Sequence, residues 1–180
     1  MREPAFRLNY LDELTSAMTM LARHPKTLFV GQSTRYDGQA PFQTLSGVPM
    51  DQRIEMPVAE NLQMGFCTGL ALEGFIPVSI FPRFDFLILA MDALVNHLDK
   101  IPQMSEFRPK VIIRTAIGAM TPVNPGPQHF QDYTEAFRSI LKTVHVIEFQ
   151  RAEDVMPGYE IALKLPQSVL VVERMNEYRR

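Results

Sequence analysis

Short runs of apolar, mostly β-branched residues alternate along the chain with longer segments of helical periodicity. The runs predict six strands, at residues 27–30, 53–56, 77–81, 111–115, 144–149 and 168–173. The longer segments predict five helices, at residues 10–23, 60–73, 84–101, 130–142 and 152–163. Several strands are apolar throughout, as is typical of strands with both faces covered. The alternation predicts a single α/β domain: a doubly wound, mainly parallel, six-stranded sheet with helices on both faces.

Sheets of this kind bind ligands beyond the carboxyl ends of their strands. Functional side chains are therefore expected on the strand-to-helix loops, at residues 31–49, 57–60, 82–83, 116–129 and 150–151. The helix predicted after the third strand is unusually apolar, because its first part, FDFLILAMDALV, has ten apolar residues among twelve. Such a helix has no wide polar face. We expect it to be buried, either within the domain or partly by another subunit.

The composition narrows the class of protein. The 180 residues carry a net charge of -2, with a sequence pI of about 6.1, and this gives no reason to expect nucleic acid or an acidic membrane as a partner. The apolar runs are too short to span a bilayer and the N-terminus lacks the apolar stretch of a signal peptide, so we expect a cytoplasmic protein. The single cysteine, Cys67, excludes a disulfide framework, and its apolar surroundings predict a place in the core.

Two residues on these loops are candidates for acid–base chemistry. Glu60 stands at a predicted helix start just after the second strand, where the helix dipole favours a carboxylate. His129 lies late in the loop after the fourth strand, which Pro125 and Pro127 help to keep out of a helix. A histidine there can exchange protons near neutral pH. Taken alone, Glu60 could equally satisfy backbone N–H groups, and His129 could simply be exposed.

Aromatic residues cluster at the end of the third predicted strand, namely Phe81, Phe84 and Phe86. Most of them are expected to pack in the core, but a ring at that edge can also stack on a flat heterocycle. Other motifs are missing from the sequence: there is no G-x-G-x-x-G, no phosphate-binding Gly-Lys-Ser/Thr loop and no G-x-S-x-G elbow. No set of His, Asp and Glu residues has the spacing of a metal site, so no metal ligand is predicted.

Four segments, in order and spacing, resemble a known family. They are RIEMPVAENLQMGFCTGLALEGFIPVSIF, FDFLILAMDALVNHLDKIPQMS, KVIIRTAIG and GPQH. Together they are similar to the beta subunit of the first component of 2-oxoacid dehydrogenase complexes, in the transketolase-like thiamine-diphosphate superfamily. The resemblance covers about residues 11–173, and it implies that residues 1–180 form a pyrimidine-binding domain.

The resemblance implies a role for each candidate residue. Glu60 matches the glutamate that hydrogen-bonds to N1′ of the cofactor's aminopyrimidine and promotes the imino tautomer, whose nitrogen then removes the thiazolium C2 proton. Phe86 matches the aromatic residue that stacks on the pyrimidine. His129 matches the histidine that faces the substrate and the acyl-accepting group.

The resemblance also implies a second chain. In the superfamily, a Gly-Asp-Gly motif and a later Asn hold the diphosphate through a divalent cation, and no Gly-Asp-Gly occurs here. Thiamine diphosphate would therefore be shared with an alpha-type chain that holds Mg²⁺, in a heterotetramer. The sequence stops at MNEYRR, where the family usually continues into a C-terminal domain, and this argues against docking to a dehydrogenase complex. The turn before the last strand reads KLPQS in place of the acidic turn associated with potassium, so we do not transfer that ion.

The expected function is that of a beta-type subunit of a split thiamine-diphosphate enzyme. It would decarboxylate a pyruvate-like 2-oxoacid and transfer the acyl or acyl-anion unit. One alternative is a subunit of a split transketolase-type ketol transferase, for which we find no phosphate-binding basic residues. Another alternative is a non-catalytic scaffold partner, which would have no need of Glu60, Phe86 and His129.

Overall fold

The computed structural model describes residues 8–38, 40–119 and 124–178. Its strands are β1 Thr27–Gly31, β2 Arg53–Glu55, β3 Ile76–Ile80, β4 Ile112–Ile117, β5 His145–Glu148 and β6 Val169–Arg174. They form one sheet in the order β2-β1-β3-β4-β6-β5, and every neighbouring pair is parallel. The predicted six-stranded α/β sheet is confirmed, and it is entirely parallel. Each strand begins and ends within two residues of its predicted limits.

The helices are α1 Tyr10–Ala22, α2 Ala40–Gln43, α3 Glu60–Leu72, α4 Phe84–Leu87, α5 Ile101–Met104, α6 Thr134–Ile140 and α7 Ala152–Lys164. The short helix α2 lies within the segment predicted as a loop. The helix predicted at 130–142 begins only at Thr134, because Asp132 Oδ1 accepts a hydrogen bond from the Thr134 N–H (2.9 Å) and so favours a turn before it. No helix in the described ranges is long and apolar enough to cross a membrane.

The sheet separates two apolar layers, one under α1 and α7 and the other under α3 and α4. Side chains of a strand alternate between the layers, as the pleat requires. In β6, Val169 and Val171 face the α1/α7 layer, and Leu170 and Val172 face the α3/α4 layer. Cys67 is fully buried in the second layer, which confirms its predicted core position.

The helix predicted at 84–101 is found as a helical segment over residues 84–98, but it is not one regular α-helix. The segment consists of α4, a 3₁₀ turn at Ile88–Ala90, a π-helical stretch at Asp92–Leu98 and α5. The N–H of Ala93 donates to Asn61 Oδ1 at 3.0 Å, so a side chain of α3 accepts the bond that an α-helical carbonyl would otherwise accept. Helices bend or change pitch where a side chain inserts into their hydrogen-bond ladder. The apolar pattern of the segment carries no sign of this insertion.

An ion pair lies buried between two central strands. Arg114 and Glu173 are each 1% exposed, and their two hydrogen bonds measure 2.7 and 3.0 Å. The hydroxyls of Tyr159 and Tyr178 donate to the same carboxylate. Burial, followed by the charge of Glu173, raises the pKa of both tyrosines, so they remain donors. The network joins β4, β6, α7 and the chain's last described turn.

Candidate active site at the carboxyl edge of the sheet

The three predicted site residues lie at one edge of the sheet. Glu60 is the first residue of α3, which follows β2, and Phe86 lies in α4, which follows β3. His129 is on the loop after β4. Because parallel strands end at the same edge, all three are placed where sheets of this class bind ligands.

The Glu60 side chain is nearly covered but has no partner in the described chain. The residue is 7% exposed. Among the described residues, no group forms a hydrogen bond or ion pair with its carboxylate. Its neighbour at the N-cap position, Ala59, has no side-chain group that could cap the helix. A carboxylate in this setting is suited to share a hydrogen bond with a bound ligand, because burial of a polar group is costly without a partner.

The residues after Glu60 hold the start of α3 in place. The side-chain amide of Gln63 donates to Ile80 O at 3.0 Å and to Ser79 Oγ at 3.2 Å, which ties the helix to the end of β3. Asn61 Oδ1 accepts the Ala93 N–H, as described above. Asn61 and Gln63 bind two different elements, and these bonds fix the start of α3 and with it the backbone of Glu60.

Phe86 and His129 are in direct contact. Their ring centroids lie 5.6 Å apart with an interplanar angle of 79°, an edge-to-face arrangement. Both side chains are only partly buried, so each ring keeps an accessible surface. The structure thus brings together two of the three predicted residues. Among the described residues, no ring contact or hydrogen bond joins Glu60 to either of them.

The other two phenylalanines of the cluster pack in the core, as predicted. Phe81 is 1% exposed and Phe84 is fully buried. The ring of Phe84 meets that of Phe137 at 4.8 Å and that of Tyr133 at 5.9 Å. Phe86 is the member of the cluster whose ring is available at the sheet edge.

Sequence reasoning missed two residues that organise this edge. Glu55, the last residue of β2, accepts hydrogen bonds from the backbone N–H groups of Ser33, Thr34 and Arg35 at 2.7 to 2.8 Å. It fixes the loop after β1, in which Ser33 has a positive φ of 55°. Arg83, at the N-cap of α4, donates to two backbone carbonyls of the loop after β4. Backbone partners of this kind leave no pattern in a sequence.

The side chain of Lys110 reaches the turn at residues 164–168, which precedes the last strand. The ammonium of Lys110 donates to the carbonyl oxygens of Ala162 and Gln167, the latter at 2.8 Å. Burial lowers the pKa of Lys110 to about 8. Within the described ranges, no group of three His, Cys, Asp or Glu side chains could hold a metal ion.

The fold is found in solved transketolases. A split-gene transketolase, solved as an inactive beta4 tetramer, aligns with 92% of this chain and 51% of its own length, with a TM-score of 0.69 and 17% identity. The transketolase of Campylobacter jejuni aligns with 96% of this chain and 26% of its own length, with a TM-score of 0.70 and 15% identity. The chain therefore has a transketolase-like fold.

The most informative sequence relatives are beta subunits of 2-oxoacid dehydrogenases. The mitochondrial pyruvate dehydrogenase E1 beta subunits of Saccharomyces cerevisiae and Chaetomium thermophilum are each 30% identical, over 67% and 85% of this chain. The 3-methyl-2-oxobutanoate dehydrogenase beta subunit of Mycobacterium tuberculosis is 22% identical over 93% of this chain. This chain spans 32%, 41% and 52% of the three relatives' lengths. No protein-family model matches the sequence.

Fold and sequence similarity together define the chain as a transketolase-like domain. More particularly, it is one that resembles the E1 beta subunits of 2-oxoacid dehydrogenases.

Proposed function

We propose that this chain is the pyrimidine-binding, beta-type half of a split thiamine-diphosphate enzyme that decarboxylates a pyruvate-like 2-oxoacid and transfers the acyl or acyl-anion unit. The observation that carries the proposal is the position of Glu60, a residue only 7% exposed that begins a helix on the ligand-binding edge. It has no hydrogen-bond or ion-pair partner among the described residues. A structural glutamate would be expected to bind a group of its own chain.

The residues present fit the aminopyrimidine of this cofactor. Glu60 would hold N1′ through its carboxyl group, and the accessible ring of Phe86 would cover a face of the heterocycle. When bound, thiamine diphosphate supplies a nucleophilic carbon for attack on the 2-oxoacid carbonyl. Glu60 would hold a proton at N1′ through the hydrogen bond between its carboxyl group and that nitrogen.

His129 lies beside Phe86 and would face the substrate. The His129 imidazole contacts the Phe86 ring edge-to-face, and it remains partly accessible. An imidazole in this position can bind a substrate carboxylate or move a proton to the acyl acceptor. The proposed site therefore separates two tasks, with Glu60 serving the cofactor and His129 serving the substrate.

The 180 residues contain no Gly-Asp-Gly motif that could hold the diphosphate. We propose that an alpha-type subunit holds the diphosphate and Mg²⁺, in a cytoplasmic heterotetramer. Large apolar side chains near the site support such a partner: Val58 is 79% exposed, Leu62 58% and Leu89 62%. Exposed apolar surface of this kind marks protein interfaces.

Reconstitution tests the proposal. The isolated chain should bind thiamine diphosphate and Mg²⁺ weakly in calorimetry, and addition of a Gly-Asp-Gly chain should restore tight binding and release of CO₂ from a 2-oxoacid. Tight, Mg²⁺-dependent binding by this chain alone would contradict the shared site.

A ketol transferase subunit is the second candidate, favoured by the likeness to a split-gene transketolase. The two are separated by supplying the reconstituted complex with a 2-oxoacid or with a ketose phosphate as the donor. The proposed function requires CO₂ release from the first and predicts no turnover of the second.

A further inference from the structure

Arg83 lies between the end of β3 and the start of α4, and its side chain reaches the loop that follows β4. Its Nη1 donates to Gly118 O at 3.2 Å and to His129 O as well. Gly118 begins this loop in a left-handed conformation, with φ of 77°, and His129 stands close to its end. One guanidinium nitrogen therefore donates hydrogen bonds to both ends of the loop.

The described part of the loop near His129 has few other hydrogen bonds to the rest of the domain. In the described stretch 124–131, the remaining hydrogen bonds are local, from the Gly126 N–H to Asn124 Oδ1, from the His129 N–H to Gly126 O, and from Gln131 Nε2 to Pro127 O. Pro125 and Pro127 have no N–H to donate. Among the described residues, the bond from Arg83 is the one hydrogen bond that connects this stretch to another element. If that bond were lost, the ring contact with Phe86 would be the remaining described contact that positions His129.

That ring contact comes from the same segment as Arg83. Phe86 lies three residues further along, in α4, and its ring meets the His129 imidazole edge-to-face. The start of α4 thus holds His129 twice, through the backbone carbonyl and through the ring. Neither contact extends to Glu60, which is placed by α3.

The charge of Arg83 is retained in this setting. Burial lowers its pKa, while Asp85 and Tyr178 raise it. An arginine guanidinium stays protonated in proteins, and hydrogen bonds from a charged donor to carbonyls are stronger than those from a neutral donor. A lysine at this position would keep the charge, but it would lose the rigid planar fork that aims the donor.

From these contacts we propose that Arg83 is a positioning residue that sets the place of the His129 imidazole at the active site. This inference rests on the proposed function, in which His129 serves the substrate. Removal of Arg83 should impair the substrate steps and spare the cofactor step that depends on Glu60. Misplacement of a reacting group by about 1 Å can cost about 100-fold in rate.

The first measurement needs no enzyme activity. Diethyl pyrocarbonate modification of His129 is followed by peptide mass spectrometry in the full chain, with His24, His97 and His145 as internal references. Arg83→Ala should raise the modification rate of His129 several-fold, and Arg83→Lys should give an intermediate rate. The control is Arg138→Ala, since Arg138, although more exposed than Arg83, also donates to a backbone carbonyl, Val146 O. An unchanged rate in Arg83→Ala would overturn the positioning role.

The second measurement uses the reconstituted complex. Arg83→Ala should lower kcat for product formation by about 10- to 100-fold, with little change in hydrogen–deuterium exchange at the cofactor C2 position. Addition of Arg83→Ala to His129→Ala should lower kcat no further, because both changes remove the same contribution. Additive losses, or an equal loss of C2 exchange, would contradict the proposal. If the wild-type complex shows no thiamine-dependent turnover, the proposed function fails while the modification experiment still decides the role of Arg83.

Discussion

The ring of Phe86 meets the imidazole of His129 edge-to-face, with centroids 5.6 Å apart, across the carboxyl ends of β3 and β4. The two residues come from different strand-to-helix connections, and each was singled out for a different reason. Their contact places an aromatic surface and a proton-exchanging group side by side. Glu60 stands apart, at the start of the helix that follows β2. This separation allows the roles of the site residues to be tested independently.

Glu60→Gln should reduce turnover of the reconstituted enzyme by about 10²- to 10⁴-fold, the usual contribution of a positioned acid or base. The change is nearly isosteric but removes the ionisable proton, so C2 exchange should fall with turnover. Glu73→Gln, at the exposed end of the same helix, is the control. If Glu60→Gln exchanges the C2 proton at the wild-type rate, the scaffold hypothesis becomes the better one.

His129→Ala should give the opposite pattern. C2 exchange should survive because it requires Glu60 and the cofactor, whereas product formation should fail. The measurement pairs exchange, followed by NMR, with product analysis in the same reconstituted sample. Loss of exchange in this variant would show that the two roles are not separate.

Leu89→Asp should disturb assembly more than folding. Leu89 is 62% exposed in the chain, so the substitution should change the free energy of unfolding by only about 0.5 kcal/mol. At an interface with a partner it would bury a charge and weaken association strongly. Ile161→Asp, on α7 over the opposite face of the sheet, is the matched control, because Ile161 is 50% exposed. Sedimentation of the mixed subunits measures the difference, and equal assembly of both variants would place the partner elsewhere.

Arg114→Met should cost about 3–5 kcal/mol of stability, because it leaves the buried Glu173 carboxylate without its cation. The tyrosine hydroxyls that donate to Glu173 cannot replace the lost charge. Arg138→Ala, which removes ion pairs with Glu135 and Glu148 at the surface, should cost about 0–1 kcal/mol. Urea denaturation measures the stability of the two variants. Similar urea midpoints would contradict the predicted difference between the buried and the surface ion pair.

Asp99→Asn should lower the free energy of unfolding at neutral pH. It should also make that free energy depend less on pH in acid. The Asp99 carboxylate is fully buried and accepts the N–H groups of Lys142, Thr143 and Val144 at 2.7 to 3.0 Å. Burial acts to raise its pKa, but the Lys100 ammonium and these N–H groups outweigh burial and hold the pKa below its ordinary value.

A carboxyl group whose folded pKa is depressed stabilises the fold above its unfolded pKa, and the stabilisation is lost as the pH falls through the folded pKa. Unfolding of the wild type should therefore become easier below about pH 4, the ordinary range of an aspartate. At neutral pH the Asn variant should be about 1.5–3 kcal/mol less stable than the wild type. As the pH falls below about 4, its free energy of unfolding should decrease less than that of the wild type. Parallel acid dependence of the two proteins would argue against this role of Asp99.

Local features of the sequence were enough to predict the strands, the class of fold and the start of α3. Apolar runs bounded by turns define buried strands wherever they pair, and their alternation with helices restricts the sheet to a parallel arrangement. Glu60 at a helix start and His129 in a proline-rich loop are local facts of the same kind. The proposed chemistry of these residues came from the spacing of four segments and stays a prediction.

Contacts between distant segments were decided by the tertiary structure. The helix predicted at 84–101 changes its hydrogen-bond pattern where Asn61, 32 residues away, accepts the Ala93 N–H. The bond from Arg83 to the His129 carbonyl joins two loops because β3 and β4 are neighbours in the sheet. Hydrophobic periodicity reports which face of an element is buried, but a hydrogen bond between a side chain and a distant backbone group depends on how the elements are packed together.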